Sequence, residues 1–224
     1  KGFLQNLLDG LTGPLNEKQQ RYVSRMLENS DRLIRMIEAL LDRTRIQSGR
    51  LDLVPGEIDL GPCVTDAVEQ LRLLAQAKQQ TLDAIVPPVP LTVWADRDRL
   101  IQIVTNLVQN AVKFTPEGGR IMVTVRQEDQ TLAGVSVCDN GPGIPQEFLD
   151  QIFDPFFRVK QARSGVKGLG LGLSIVRRLV ELQGGTIVAR SEPGQGAELS
   201  FTIPLCPTIA VLRGSASTEA PRIL

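Results

Sequence analysis

From Asn16 to about Ser48, positions Val23, Met26, Ser30, Leu33, Ile37, Leu40 and Thr44 recur at a 3-4 spacing, and Leu27, Ile34 and Leu41 widen the stripe. That period predicts a long amphipathic helix with one face packed in a bundle or coiled coil. Its start is marked by the breaker-rich turn Leu11-Thr12-Gly13-Pro14-Leu15-Asn16, with Asn16 as N-cap and Gln19 as its capping-box partner. Residues 1–10 read as the last turns of an earlier helix. A stump and one long helix cannot bury such a stripe between them. A helical partner, most simply a second copy of the chain, is implied; the other reading is a helix packed on its own domain.

Past Gly49 the pattern changes. Residues 51–60 read as a short extended linker, and Gly61 to about Gln80 as a helix. Thr81–Ile85 and Leu91–Ala95 read as strands around the proline-rich turn Pro87, Pro88 and Pro90. Arg97–Phe114 is helical, with apolar positions at Leu100, Ile103, Val104, Leu107, Val108, Ala111 and Val112. Arg120–Gln127, Gly134–Cys138, Thr186–Arg190 and Glu198–Ile203 read as strands, and Gly170–Leu182 as a helix. Strands and helices in this mixed order predict an α+β sandwich, a sheet covered on one face by helices. The division is therefore 1–50 helical, 51–60 linker, 61–206 the sandwich, and 207–224 a Ser-, Ala- and Pro-containing tail expected to be disordered.

Composition narrows the chemistry. Twenty-five Lys and Arg balance 25 Asp and Glu, so there is no electrostatic case for a nucleic-acid partner. No apolar run reaches the roughly 18 residues of a membrane span. Cys63, Cys138 and Cys206 are odd in number and far apart, which gives neither a disulfide framework nor a Cys-x-x-Cys metal site. A reducing, cytoplasmic setting follows, with anchorage of a longer parent protein to a membrane left open. The chain of 224 residues has no histidine, so His-dependent triads, His-ligated zinc and imidazole acid-base steps are excluded within it.

Three segments carry candidate chemistry. A second stripe of the 97–114 helix holds Asn106, Asn110 and Lys113 at i, i+4 and i+7. Two carboxamides and an ammonium on one face can offer oxygens to a cation and positive charge to phosphate, or form a solvated edge. The strand Val135-Ser136-Val137-Cys138 runs into Asp139-Asn140-Gly141-Pro142-Gly143. A carboxylate there can accept from an exocyclic amine while glycines let a flat ring approach the backbone, and a plain tight turn would read the same. The third segment, Gly168-Leu169-Gly170-Leu171-Gly172, opens a helix with free backbone N–H groups, a place suited to a phosphate chain. Its spacing is neither the dinucleotide-binding nor the P-loop pattern.

In order and separation, these segments together with Phe153-Asp154-Pro155-Phe156-Phe157 resemble the N, G1, F and G2 boxes of sensor histidine kinases in the GHKL ATPase superfamily. The resemblance runs from about Leu60 to Leu205, while residues 1–50 are similar to the later part of that family's dimerisation and phosphotransfer hairpin. It implies a Bergerat-type sandwich preceded by a hairpin remnant that pairs into a bundle. It implies ATP and Mg²⁺, with Asn110 ligating the metal and Asn106 and Lys113 as catalytic residues near the phosphates. Asp139 would hold the adenine amine, with Gly141, Gly143 and Ile144 lining the base pocket. Gly168, Leu169, Gly170, Leu171 and Gly172 would shape the phosphate and lid region. Phe153, Phe156 and Phe157 would anchor the lid by burial, and Arg158, Lys160, Arg163 and Lys167 would make it basic.

The superfamily's hydrolases place a Glu base one helical turn before the Mg²⁺-ligating Asn, where this chain has Asn106, a side chain that cannot take a proton. The resemblance therefore implies a kinase that donates the γ-phosphoryl group to a His, for transfer to a response-regulator receiver domain. The acceptor His is expected upstream of Lys1. A GHKL ATPase, a Ser kinase of the superfamily, or a degenerate nucleotide-binding scaffold are the alternatives.

Overall fold

The computed structural model describes residues 2–47, 53–159 and 170–206. Helix α1 spans Gly2–Leu8 and α2 spans Glu17–Gln47. The turn between them ends in the expected reciprocal cap: the Asn16 N–H donates to Gln19 Oε1 at 3.0 Å, and the Gln19 N–H donates to Asn16 Oδ1 at 2.9 Å. Along α2 the apolar stripe is left open, with Met26, Leu33 and Ile37 each more than half exposed. The side chains of Leu40 and Leu41, the expected helix end at Gly49 and the tail 207–224 lie outside the described residues.

Beyond α2, the described residues build two sheets and three α-helices. Strands β1 (Gly56–Asp59) and β3 (Thr92–Ala95) pair antiparallel, Glu57 opposite Trp94. Helix α3 spans Leu60–Gln76, β2 Thr81–Ile85, α4 Arg97–Phe114, β4 Arg120–Gln127 and β5 Leu132–Asp139. Two 3-10 turns, Gln146–Phe148 and Gln151–Phe153, precede α5 (Gly172–Leu182), β6 (Ile187–Ser191) and β7 (Ala197–Pro204). The larger sheet runs β2-β4-β5-β7-β6, with β2 parallel to β4 and the other neighbours antiparallel.

Period-2 alternation decides which side of this sheet is covered. Ile121, Val123 and Val125 on β4, Val135 and Val137 on β5, and Leu199, Phe201 and Ile203 on β7 are buried. They face α3, α4 and α5, which bury Val64, Val68, Leu100, Ile103, Leu107, Val176 and Val180 against them. The opposite face carries Met122, Thr124, Ser200, Val188 and Arg190, and the result is the expected mixed sheet with helices on one face. Among the described residues no helix is long and apolar enough to cross a membrane.

Three details differ from the sequence reading. Residues 56–59, read as linker, are extended but form a paired strand, and Asp59 caps α3 by accepting from the Gly61 N–H at 3.2 Å. The strands 81–85 and 92–95 belong to different sheets. Helix α5 begins at Gly172 because Gly170 sits at φ +73°, a left-handed backbone that a helix cannot continue through.

Candidate functional site

Helix α4 carries the candidate residues because its two stripes are separate. Ile103, Leu107 and Val108 are buried against the sheet, leaving Asn106, Asn110 and Lys113 half-buried along one edge. From Asn106 to Lys113 the row covers about 10 Å.

At the C-terminal end of this row stands Asp139, the last residue of the central strand β5. Its side chain is buried, and Oδ1 accepts from the Gly141 N–H at 2.8 Å. Burial pushes its carboxyl above the ordinary Asp value, while the N–H groups of Gly141 and Ala197 pull it part of the way back. At its two glycines the loop after it has no room for a side chain. A Cβ on Gly141 would come within 2.7 Å of Asp139 Oδ1 and 3.4 Å of the Phe114 carbonyl, so this loop lies against the end of α4. Gly143, at φ +72°, passes so close to the Glu192 backbone that a Cβ would collide with it. Ile144 is held from behind, its N–H donating to Ser191 Oγ at 2.7 Å, and that hydroxyl donates to the Gly196 carbonyl at 2.6 Å.

At the other end of the row, the start of α5 meets α4: a Cβ on Gly172 would lie 3.5 Å from Asn106 Oδ1. Gly170 ties this start to the phenylalanine segment, its carbonyl accepting from the Phe156 N–H at 2.8 Å. A Cβ on Gly170 would come within 2.6 Å of the Phe157 carbonyl. Leu171 is buried just before the helix. Phe153 is buried under the Arg177 guanidinium at 5.9 Å, and Phe157 packs on Phe148 with ring centroids 5.6 Å apart. Phe156, expected to be buried, is 55% exposed, because its own backbone is left-handed at φ +65° and turns the ring outward.

Lys113 stands at the end of the row, within the electrostatic reach of Arg158. Lys113 Nζ lies 4.8 Å from the Phe114 ring centroid, and its pKa is lowered by burial and by the charge of Arg158. Lys113 is half-buried and Arg158 is exposed, so the positive charge beside the row reaches from its edge toward solvent. Lys160, Arg163, Lys167, Gly168 and Leu169 lie outside the described residues.

Asn106, Asn110 and Lys113 thus lie along one edge of α4, with Gly172 at its middle and the loop of Asp139 and Gly141 at its end, while Gly143 and Ile144 pack on the far side of that loop against residues 191–193. Sequence reasoning missed Ser191 and Gly196, which brace the Asp139 loop from behind. Their signal was the Glu192-Pro193-Gly194-Gln195-Gly196 turn, in which Gly196 at φ +88° leaves no space between itself and the Asp139 backbone. Among the described residues no group of three or more His, Cys, Asp or Glu could hold a metal ion. A cation here would need oxygens from its ligand and from water in addition to the Asn110 carboxamide, which is how Mg²⁺ is commonly held beside phosphates.

Comparison with known proteins follows the same division. Residues 95–207 match the family described as histidine kinase-, DNA gyrase B-, and HSP90-like ATPase, and residues 1–49 match the His kinase A (phospho-acceptor) domain. Over 211 residues the chain is 36% identical to histidine protein kinase DivJ of Caulobacter vibrioides, covering 93% of this chain and 35% of DivJ. It is 37% identical to the adaptive-response sensory kinase SasA of Synechococcus elongatus over 171 residues, 76% of this chain and 44% of that protein. The chain therefore spans about a third to a half of the length of these curated relatives. Among solved structures it resembles full-length ShkA in complex with AMPPNP, with a TM-score of 0.74 and 31% identity over 92% of this chain and 44% of ShkA. The catalytic domain of histidine kinase ThkA matches with a TM-score of 0.60 and 33% identity, over 68% of this chain and 96% of that one.

Proposed function

Because the chain belongs to the sensor histidine kinases of the GHKL ATPase superfamily, we propose that the edge of α4 binds Mg-ATP and presents its γ-phosphoryl group to a histidine. The observation that carries this reading is the double contact of one helix. Its C-terminal end lies against the loop of a buried carboxylate, and its middle lies against the glycine start of α5. A base carrying an exocyclic amine fits the first end and a phosphate chain the second.

In this reading Asp139 accepts from the adenine amine, and Gly141 and Gly143 let the ring lie against backbone. Ile144 adds apolar lining. Lys113 and Arg158 meet phosphate oxygens, and the start of α5 at Gly172 turns backbone N–H groups to the same chain. Asn110 would hold Mg²⁺, whose charge would offset the negative charge of the phosphates. Asn106 cannot remove a proton from water, so the site positions a phosphoryl donor without activating a hydrolytic nucleophile. A neutral imidazole needs no such base: its nitrogen forms the new bond to phosphorus as the bond from the γ-phosphorus to the bridging oxygen breaks, and ADP leaves. The open stripe of α2 is where a second copy of the chain would pair, and a response-regulator receiver domain would take the phosphoryl group onward.

Titration with a non-hydrolysable ATP analogue tests the site. Binding is expected to require Mg²⁺, and Asp139→Ala and Asn110→Ala should each weaken it about tenfold or more. Wild-type affinity in both variants would remove the assignment.

A further inference from the structure

Asp96 joins three segments that are far apart in the chain. Its Oδ1 accepts from the Asp98 and Arg99 N–H groups at 3.0 and 3.1 Å, capping α4. Its Oδ2 accepts from the Val54 N–H at 2.9 Å, holding the residues that lead into β1. Its own N–H donates to Gln183 Oε1 at 2.9 Å, and Gln183 Nε2 donates to the Leu179 carbonyl in the last turn of α5. Asp96 and Gln183 are both buried.

This junction is the mirror of the contact already described. The start of α4 is tied to the end of α5 at Asp96 and Gln183, and the middle of α4 meets the start of α5 at Asn106 and Gly172. The two helices are therefore antiparallel and fixed at two levels. Helices are stiff along their axes, so a shift of α4 at Asp96 reappears at Asn106, Asn110 and Lys113. One oxygen of the same carboxylate holds the residues entering from the α2 side. Asp96 thus joins the entering segment to the helix that carries the candidate nucleotide site.

We propose that Asp96 is a positioning residue that couples docking of residues 53–59 to nucleotide affinity, each favouring the other. The proposal rests on the nucleotide reading of the α4 edge. Coupling between binding events is reciprocal, so a nucleotide that binds better when Val54 is docked must also hold Val54 docked.

Asp96→Asn separates the two roles. An Asn carboxamide keeps an oxygen for the α4 cap, where Asn serves as well as Asp, but places an NH₂ against the Val54 N–H. Val54→Pro removes that N–H from the other side. On the full chain, Asp96→Asn and Val54→Pro should each weaken ATP-analogue binding about fivefold, and the double variant should be no weaker than either single change. In the wild-type chain, saturating analogue should slow hydrogen exchange of the Val54 amide, read by NMR, by about the same fivefold. If the analogue binds the wild type but leaves Val54 exchange unchanged, the coupling is refuted and the nucleotide site stands. Undiminished affinity in Asp96→Asn would refute it equally. No binding to the wild type at all removes both.

Discussion

Asp139 and Lys113 both carry charge where the folded chain penalises it, and the penalties have opposite signs in pH. Burial raises the Asp139 pKa, so its ionised form costs stability, and stability falls as pH rises from the ordinary Asp value through the raised one. Lys113 has a lowered pKa from burial and from Arg158, so its protonated form costs stability, which is recovered as pH rises past the lowered value. Unfavourable charges of this kind are what a ligand with an amine at one end and phosphates at the other would relieve. Asp139→Asn should therefore act in two directions. The amide still accepts from the Gly141 N–H but no longer pays for a buried charge, so the melting temperature at neutral pH should rise, and rise less in acid. ATP-analogue affinity should drop about tenfold or more, since a charge-assisted acceptor has become a neutral one. Thermal melts at the two pH values and a titration check this, and a melting temperature that falls at neutral pH would contradict the burial argument.

At the scale of elements, α2 is a helix with a good start and an open side. Its capping box closes at both hydrogen bonds, yet Met26, Leu33 and Ile37 stay more than half exposed. Such a row is stable in water when a second helix covers it. Ile37→Glu should then lower the dimer population by at least tenfold in sedimentation, a loss of one buried aliphatic side chain per copy. The melting of the β-containing domain should be unchanged, because Ile37 is not among the residues of its core. A monomeric wild type would end the pairing argument. The long helices were legible in the sequence because period and caps agree locally: Asn16 and Gln19 mark one start, and the α4 stripe gives Arg97–Phe114 to the residue. What was not legible depends on distant partners. Gly56–Asp59 has polar residues at two of four positions and becomes a strand by pairing with Thr92–Ala95. The sites of Asp139, Asn106 and Gly172 were legible as residue types, but that Asn106 meets Gly172 follows from the antiparallel packing of α4 and α5, which no local pattern encodes. Phe156 was misread because its exposure is set by a left-handed backbone at its own position.

For the molecule as a whole, the decisive quantity is the histidine count of zero. The family match over residues 1–49 is to a phospho-acceptor domain, and the match to the ATPase family covers residues 95–207, in the following domain. On the proposed reading donor and acceptor functions are separable, since the described residues proposed to bind nucleotide all lie outside α1 and α2. Incubated with γ-labelled ATP, the 224-residue chain should bind nucleotide and yield no acid-labile, base-stable phosphoprotein, because phosphohistidine cannot form without an imidazole. Extending α1 upstream by a helical segment that bears a histidine followed by an acidic residue should restore that label. The restored label should vanish again with Asn110→Ala in the same extended chain, which ties it to the α4 edge and not to a contaminating kinase. Label on the 224 residues themselves would mean a Ser or Thr acceptor, and would move the protein to another branch of the superfamily.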